Sequence, residues 1–156
     1  MKKTYLLLVL FTLLISFTKA QSSAKAVYAE IGGPGFASIN YDMRFAKKED
    51  GFGFRAGIGG FTIDNSSIMF FPMALNYITS KDQKNYFELG LGLTPVSISN
   101  GSSSSSHFST TFGHMNIGYR LQPKAGGFLF RAGITPIFGN GFFFPYYAGL
   151  SFGYKF

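Results

Sequence analysis

The chain has 156 residues, a formal charge of +7, 20 phenylalanines, no tryptophan and no cysteine. Only 13% of its residues are charged, against about 25% in a typical soluble domain, which is too few to cover a water-exposed surface of this size. The lack of cysteine excludes a disulfide framework, thiol chemistry and a lipobox for a lipid anchor.

At the start, Lys2 and Lys3 precede an uncharged run from Thr4 to Thr18, and Ala20 is followed by Gln21. A basic start, an apolar run shorter than the roughly 20 residues of a membrane helix and a small residue at the cut form the pattern of a secretory signal peptide. Residues 1–20 are assigned to it and residues 21–156 to one domain. Loss of Lys2, Lys3 and Lys19 leaves eleven basic residues against seven acidic, so part of the high charge belongs to the leader.

From residue 25 onward, apolar residues alternate with small or polar ones, and short clusters of Gly, Asn, Asp, Ser and Lys interrupt the pattern. Period two over such lengths predicts antiparallel strands with two unlike faces. Eight are expected, at 25–31, 36–45, 52–62, 68–79, 86–97, 110–121, 128–138 and 143–156. The second is the clearest, with Ala37, Ile39, Tyr41, Met43 and Phe45 opposing Ser38, Asn40, Asp42 and Arg44. The Gly32-Gly33-Pro34-Gly35 turn signal separates the first two strands and makes the count even, as a barrel with both ends on one side of a membrane requires. Pro72, Pro95, Pro136 and Pro145 all fall toward the opposite rim, where a missing ladder donor costs least, and Pro72 is expected to mark a bulge. The serine tract Ser102–Ser106 reads as a solvated loop. One segment repeats: Phe54-Arg55-Ala56-Gly57-Ile58 returns as Phe130-Arg131-Ala132-Gly133-Ile134.

No apolar run beyond the leader is long enough for a membrane helix, and a closed barrel is the other structure that satisfies every backbone group in lipid. One strand face carries Phe54, Leu75, Leu91, Met115, Ile117 and Phe130, and the other carries Gly53, Gly57, Gly90, Gly118, Gly133 and Gly153. The interior of an eight-stranded barrel is barely wide enough for side chains, so the glycine face should point inward and the large apolar face outward. A soluble lipocalin-like barrel would need the reverse. At the end where both termini lie, the outward position is aromatic on seven strands: Phe45, Phe52, Tyr77, Phe87, Tyr119, Phe128 and Phe156. This is the signature of an interfacial girdle. The expected fold is all-β, an eight-stranded antiparallel transmembrane barrel.

The last strand alternates Phe144, Tyr146, Ala148, Leu150, Phe152, Tyr154 and Phe156 on its apolar face. It is similar to the closing strand of bacterial outer-membrane barrels, and residues 25–156 together resemble the small eight-stranded proteins of the OmpA transmembrane and OmpX type. The chain departs from that type in its short outer loops and in Ser151, where the closing-strand signal usually has glycine. The resemblance implies a place in the outer membrane of a Gram-negative bacterium, lipids as surrounding partners, and recognition of Phe152, Tyr154 and Phe156 by the barrel-assembly machinery. It implies no activity and no cofactor, and a monomer is expected.

The inward face holds Glu30, Asp42, Arg44, Arg55, Glu88, Arg120, Arg131 and Lys155. Charges of both signs in a narrow, poorly hydrated space must pair, because an isolated buried charge costs several kcal/mol. They are expected to plug the lumen; a proton or ion path is the functional alternative. Above them Ser38, Asn76, Thr94, Asn116 and Thr135 would line a small vestibule able to take a polar solute. His107-Phe108-Ser109 resembles the His-x-Ser pair of outer-membrane lipid A deacylases, in which serine attacks and histidine acts as base. No acid is placed to orient this histidine, so a non-enzymatic role comes first and a lipid-modifying enzyme second. His114 is expected inward as a hydrogen-bonded core residue. Gly57-Ile58-Gly59-Gly60 and Gly90-Leu91-Gly92 lie inside strands with no helix following, which rules out a phosphate-cradling loop of nucleotide type. The basic residues form no stripe, so no nucleic-acid partner is expected, and no set of metal ligands stands out.

Overall fold

The structure, a computed structural model, describes residues 23–63, 66–100 and 107–156. The leader at 1–20 and the serine tract at 102–106 lie outside the described residues. The strands are β1 (Lys25–Gly32), β2 (Ala37–Arg44), β3 (Gly51–Ile63), β4 (Ser66–Phe70), β5 (Met73–Ser80), β6 (Asn85–Asn100), β7 (His107–Leu121), β8 (Gly127–Ile134), β9 (Ile137–Gly139), β10 (Phe142–Phe144) and β11 (Ala148–Lys155). They make eight staves, because β4 with β5, β8 with β9 and β10 with β11 each run as one line. Every neighbouring pair is antiparallel, and β11 pairs with β1 from Ala26↔Lys155 to Gly32↔Gly149, which closes the sheet. The eight strands read from alternation are these eight staves.

Prolines account for the interruptions, though not as expected. Pro72 separates β4 from β5 without a bulge: Phe70 pairs with Gly59 and Met73 with Ala56, so the register along β3 runs through unchanged. The missing donor costs the ladder one bond, while the Pro72 carbonyl still accepts from the Gly57 N–H at 2.8 Å and holds the spacing. Pro145 does coincide with a bulge. Phe144 pairs with Ile137 and Ala148 with Ile134, which leaves three residues of the last stave opposite two of its neighbour. The extra residue turns everything before it to the other face. Phe144, expected outward beside Tyr146, therefore meets the lumen-side Tyr147, with ring centroids 6.4 Å apart and the rings tilted by 56°. A further register shift lies between Val96 and Ser97 of β6, opposite Ser109 on β7.

The large apolar face points outward, with Leu75, Leu91 and Leu93 more than half exposed. Glycine lines the interior because neighbouring strands send large side chains across it. Gly53 pairs with Arg44 and Gly153 with Tyr28, and a Cβ at either glycine would enter that partner's side chain. The start of β1, the C-terminus and the turns at 45–50, 81–84 and 122–126 lie at one end, called here the turn end.

Candidate functional site

Strand alternation aims Glu30, Asp42, Arg44, Arg55, Glu88, Arg120 and Arg131 into the lumen from β1, β2, β3, β6, β7 and β8, and none is more than 4% exposed. They form one connected cluster. Arg131 meets Glu88 at 2.6 Å and Glu30 at 3.5 Å. Arg120 reaches Asp42 at 2.9 Å and Glu88 at 3.6 Å, and Arg44 reaches Asp42 at 2.7 Å. Arg55 ends this chain of contacts through an ion pair with Glu30. Neutral groups fill the remaining positions: Asn76 accepts from Arg44 and donates to Asp42, both at 2.6 Å, and Asn40 accepts from Arg55 Nε at 3.0 Å.

The repeated segment explains part of this geometry. β3 and β8 each stand two strands from β1, on opposite sides of it, so the repeat delivers Arg55 and Arg131 to Glu30 from both directions. The same two guanidinium groups lie over the Tyr28 ring, 5.7 and 4.6 Å from its centroid. Four arginines face three carboxylates here, and the π face of Tyr28 offsets part of the surplus positive charge. Lys155 is buried too but stays apart from the cluster. Its ammonium meets Glu49 at 2.7 Å and donates to the Lys124 carbonyl at 2.5 Å. Sequence reasoning missed Asn40, Tyr28 and Glu49 as members of these networks. The inward parity of positions 28 and 40 was a usable signal, whereas nothing in the pattern marked Glu49, which reaches the lumen from a turn.

Toward the opposite end the expected open vestibule is covered. Ser38, Thr94 and Thr135 are buried, Asn76 belongs to the charge cluster, and Asn116 accepts from Thr135 at 3.4 Å. His114 is fully buried, with Nδ1 3.1 Å from the Thr94 hydroxyl. Aromatic rings roof this layer. Phe36 lies 5.1 Å from Phe70, 5.5 Å from Phe61 and 5.7 Å from Tyr147, and Phe70 lies 6.5 Å from Phe112. Phe36 takes a left-handed backbone, φ 60°, just after the Gly33–Gly35 turn. A phenylalanine rarely adopts that conformation, and here its ring contacts hold it. The roof closes the mouth because the inward positions nearest this rim are phenylalanine and not the small residues found below.

The seven girdle aromatics Phe45, Phe52, Tyr77, Phe87, Tyr119, Phe128 and Phe156 are all exposed and lie on the staves at the turn end. Phe52 and Tyr77 pair across strands with ring centroids 4.9 Å apart, and the Tyr119 hydroxyl donates to Asn85. Phe152, Tyr154 and Phe156 point outward from the closing stave. The His107 side chain lies outside the described residues, and Ser109 sits at the register shift of β7. The lipid-side groove bordered by Phe54, Leu75, Leu91 and Phe138 has a volume of about 510 Å3 and is lined only by apolar residues and glycine. In the turn at 81–84, the Asn85 and Lys84 backbone N–H groups donate to the Asp82 carboxylate at 2.7 and 3.0 Å. With the Asn85 amide and the Ser80 hydroxyl, they hold its pKa well below the usual carboxylate range.

By sequence the chain matches no protein-family model and no curated protein. By structure it is similar to the N-terminal β-barrel domain of Pseudomonas aeruginosa OprF, at 15% identity and TM-score 0.60, over 87% of this chain and 98% of that one. It is also similar to the Yersinia pestis outer membrane protein Ail as determined in a phospholipid bilayer nanodisc, at 12% identity and TM-score 0.53, over 86% of this chain and 100% of that one. The likeness is one of fold: this chain is built as the small, closed, eight-stranded barrels of bacterial outer membranes are built.

Proposed function

We propose that the protein is an integral outer-membrane barrel acting as a closed structural or surface-interaction scaffold, not as an open pore. The observation that carries this reading is the buried cluster of Glu30, Asp42, Arg44, Arg55, Glu88, Arg120 and Arg131, which crosses the lumen from six strands with every charged group paired. An ion entering would have to break contacts whose partners then lie unpaired in a low dielectric. In this reading residues 1–20 direct export, the turn end faces the periplasm, and lipids cover the outward face. The assembly machinery reads Phe152, Tyr154 and Phe156, and the folded protein is a monomer without a cofactor. The apolar lining of the lipid-side groove supports a scaffold over a lipid-modifying enzyme, which would need polar catalytic groups beside its acyl chain.

The purified protein in a planar bilayer should give no steady ion conductance. Stable openings abolished by changes at Glu88 or Arg120 would mean that the charges line a path. Placement in lipid is checked separately by Leu91→Arg, which should lower stability in bilayers by about 2–4 kcal/mol, as for a charge on the lipid face near the midplane.

A further inference from the structure

Going beyond the closed-scaffold reading, we infer that the turn-end mouth of the barrel is a binding site for a phosphate-bearing ligand. A cavity of about 550 Å3 opens there, and Lys47, Lys48, Lys81 and Lys124 line it from three separate turns. Two carboxylates share the lining, Glu49 and Asp50. Glu49 is already engaged by Lys155 at 2.7 Å, which leaves Asp50 against four lysines. Behind the cavity the lumen cluster adds charge of the same sign, with its four arginines against three carboxylates. Low-dielectric walls focus such a field into the cleft they enclose.

A second observation points inward to the same place. Tyr86 lines the cavity and is 1% exposed, and its hydroxyl has no partner among the described residues. A buried hydroxyl left unpaired is costly, and a phosphate oxygen entering the mouth would accept from it. Lysine is a point-charge binder of phosphate, and the cavity lies within the roughly 300–1,000 Å3 typical of small-molecule sites. The turn that supplies Lys81 is fixed beforehand by the Asp82 hydrogen bonds, so little order need be created on binding. The charge is one-ended as well: among the described residues at the opposite end, 32–36, 62–63, 66–68, 97–100, 107–110 and 138–147, there is no lysine or arginine.

The phosphate could belong to a soluble molecule or to a phospholipid headgroup folded in over the rim, and two arms of one experiment separate them. Barrel refolded in a zwitterionic detergent is titrated calorimetrically with inorganic pyrophosphate. In parallel, barrel in phosphatidylcholine nanodiscs is titrated with and without phosphatidylglycerol, with circular dichroism confirming that each variant is folded. Saturable pyrophosphate binding is expected, weakened about tenfold by Lys81→Gln with Lys124→Gln and several-fold by Tyr86→Phe. Lys25→Gln, at an outward position beside the mouth, should leave it unchanged. Binding of phosphatidylglycerol alone, with the same dependence on the variants, supports the site and assigns the phosphate to lipid. The proposal is overturned if neither probe binds saturably, if Tyr86→Phe has no effect, or if Lys25→Gln weakens binding as much as the cavity lysines do.

Discussion

The two halves of the lumen are both filled, by opposite means. The turn-end half is packed with charged groups whose positions depend on one another, so that Arg131 holds both Glu88 and Glu30 while Glu30 also holds Arg55. The other half is filled by glycine, small polar residues and a roof of Phe36, Phe61, Phe70 and Phe112 in ring contact. Directional pairing penalises the loss of one partner alone, whereas ring packing asks for volume and shape. A barrel can thus be closed at both levels while only one of them is specific about chemistry.

The largest effect should come from removing one member of the cluster. Glu88→Ala leaves four arginines facing two carboxylates, and breaking a buried pair typically costs about 3–5 kcal/mol. Adding Arg131→Ala restores the original surplus of one positive charge and should recover part of the loss. Urea unfolding of the two variants in lipid checks this, and equal stability of the single and double variants would show that the pairing is not what matters. In the aromatic half the chemistry should be forgiving. Phe70→Ala, which empties space among three rings, should cost about 3 kcal/mol, while Phe70→Leu should cost under about 1.5 kcal/mol. Glu88→Gln, a change of similar size in the charged half, should cost more than Phe70→Leu; the reverse order would erase the distinction between the halves.

Most of the frame could be read from the sequence because strand period is a strong signal: alternation alone fixed the staves and sorted Leu91 outward and Arg55 inward. Two kinds of feature escaped it. One is local register, which depends on how neighbouring strands pair. Pro72 passes without a bulge and Pro145 coincides with one, and both present the same missing donor to a reader of the sequence. The other is what fills the lumen near its mouth. Phe36, Phe61, Phe70 and Phe112 occupy inward positions, but a rule that assigns large apolar residues to the lipid face gives no reason to gather them into a roof. Glu49 belongs with the second kind, since it enters the turn-end mouth from a turn where no periodicity operates.

The smallest effect sharpens the comparison at the turn end, where one charge is held by backbone donors and not by an opposite charge. The Asp82 carboxylate accepts from the Asn85 backbone N–H at 2.7 Å, the Lys84 N–H at 3.0 Å and the Ser80 hydroxyl at 2.9 Å. These bonds favour the ionised form and depress its folded pKa. A depressed carboxylate contributes stability that is fully present above its unfolded pKa, about 3.9, and is lost as pH falls through the lower folded value. Because the group is exposed, solvent screening keeps the contribution small. Wild type should therefore be more resistant to urea than Asp82→Ala at pH 7, and the gap should narrow as the pH drops below about 4. The cluster pairs should keep their distinction from the turn in the same titration, since loss of Asp82 leaves the Glu88→Ala penalty unchanged if the two sites are independent. A gap between wild type and Asp82→Ala that persists undiminished in acid would mean that the turn is held by the shape of its backbone and not by the charge it surrounds.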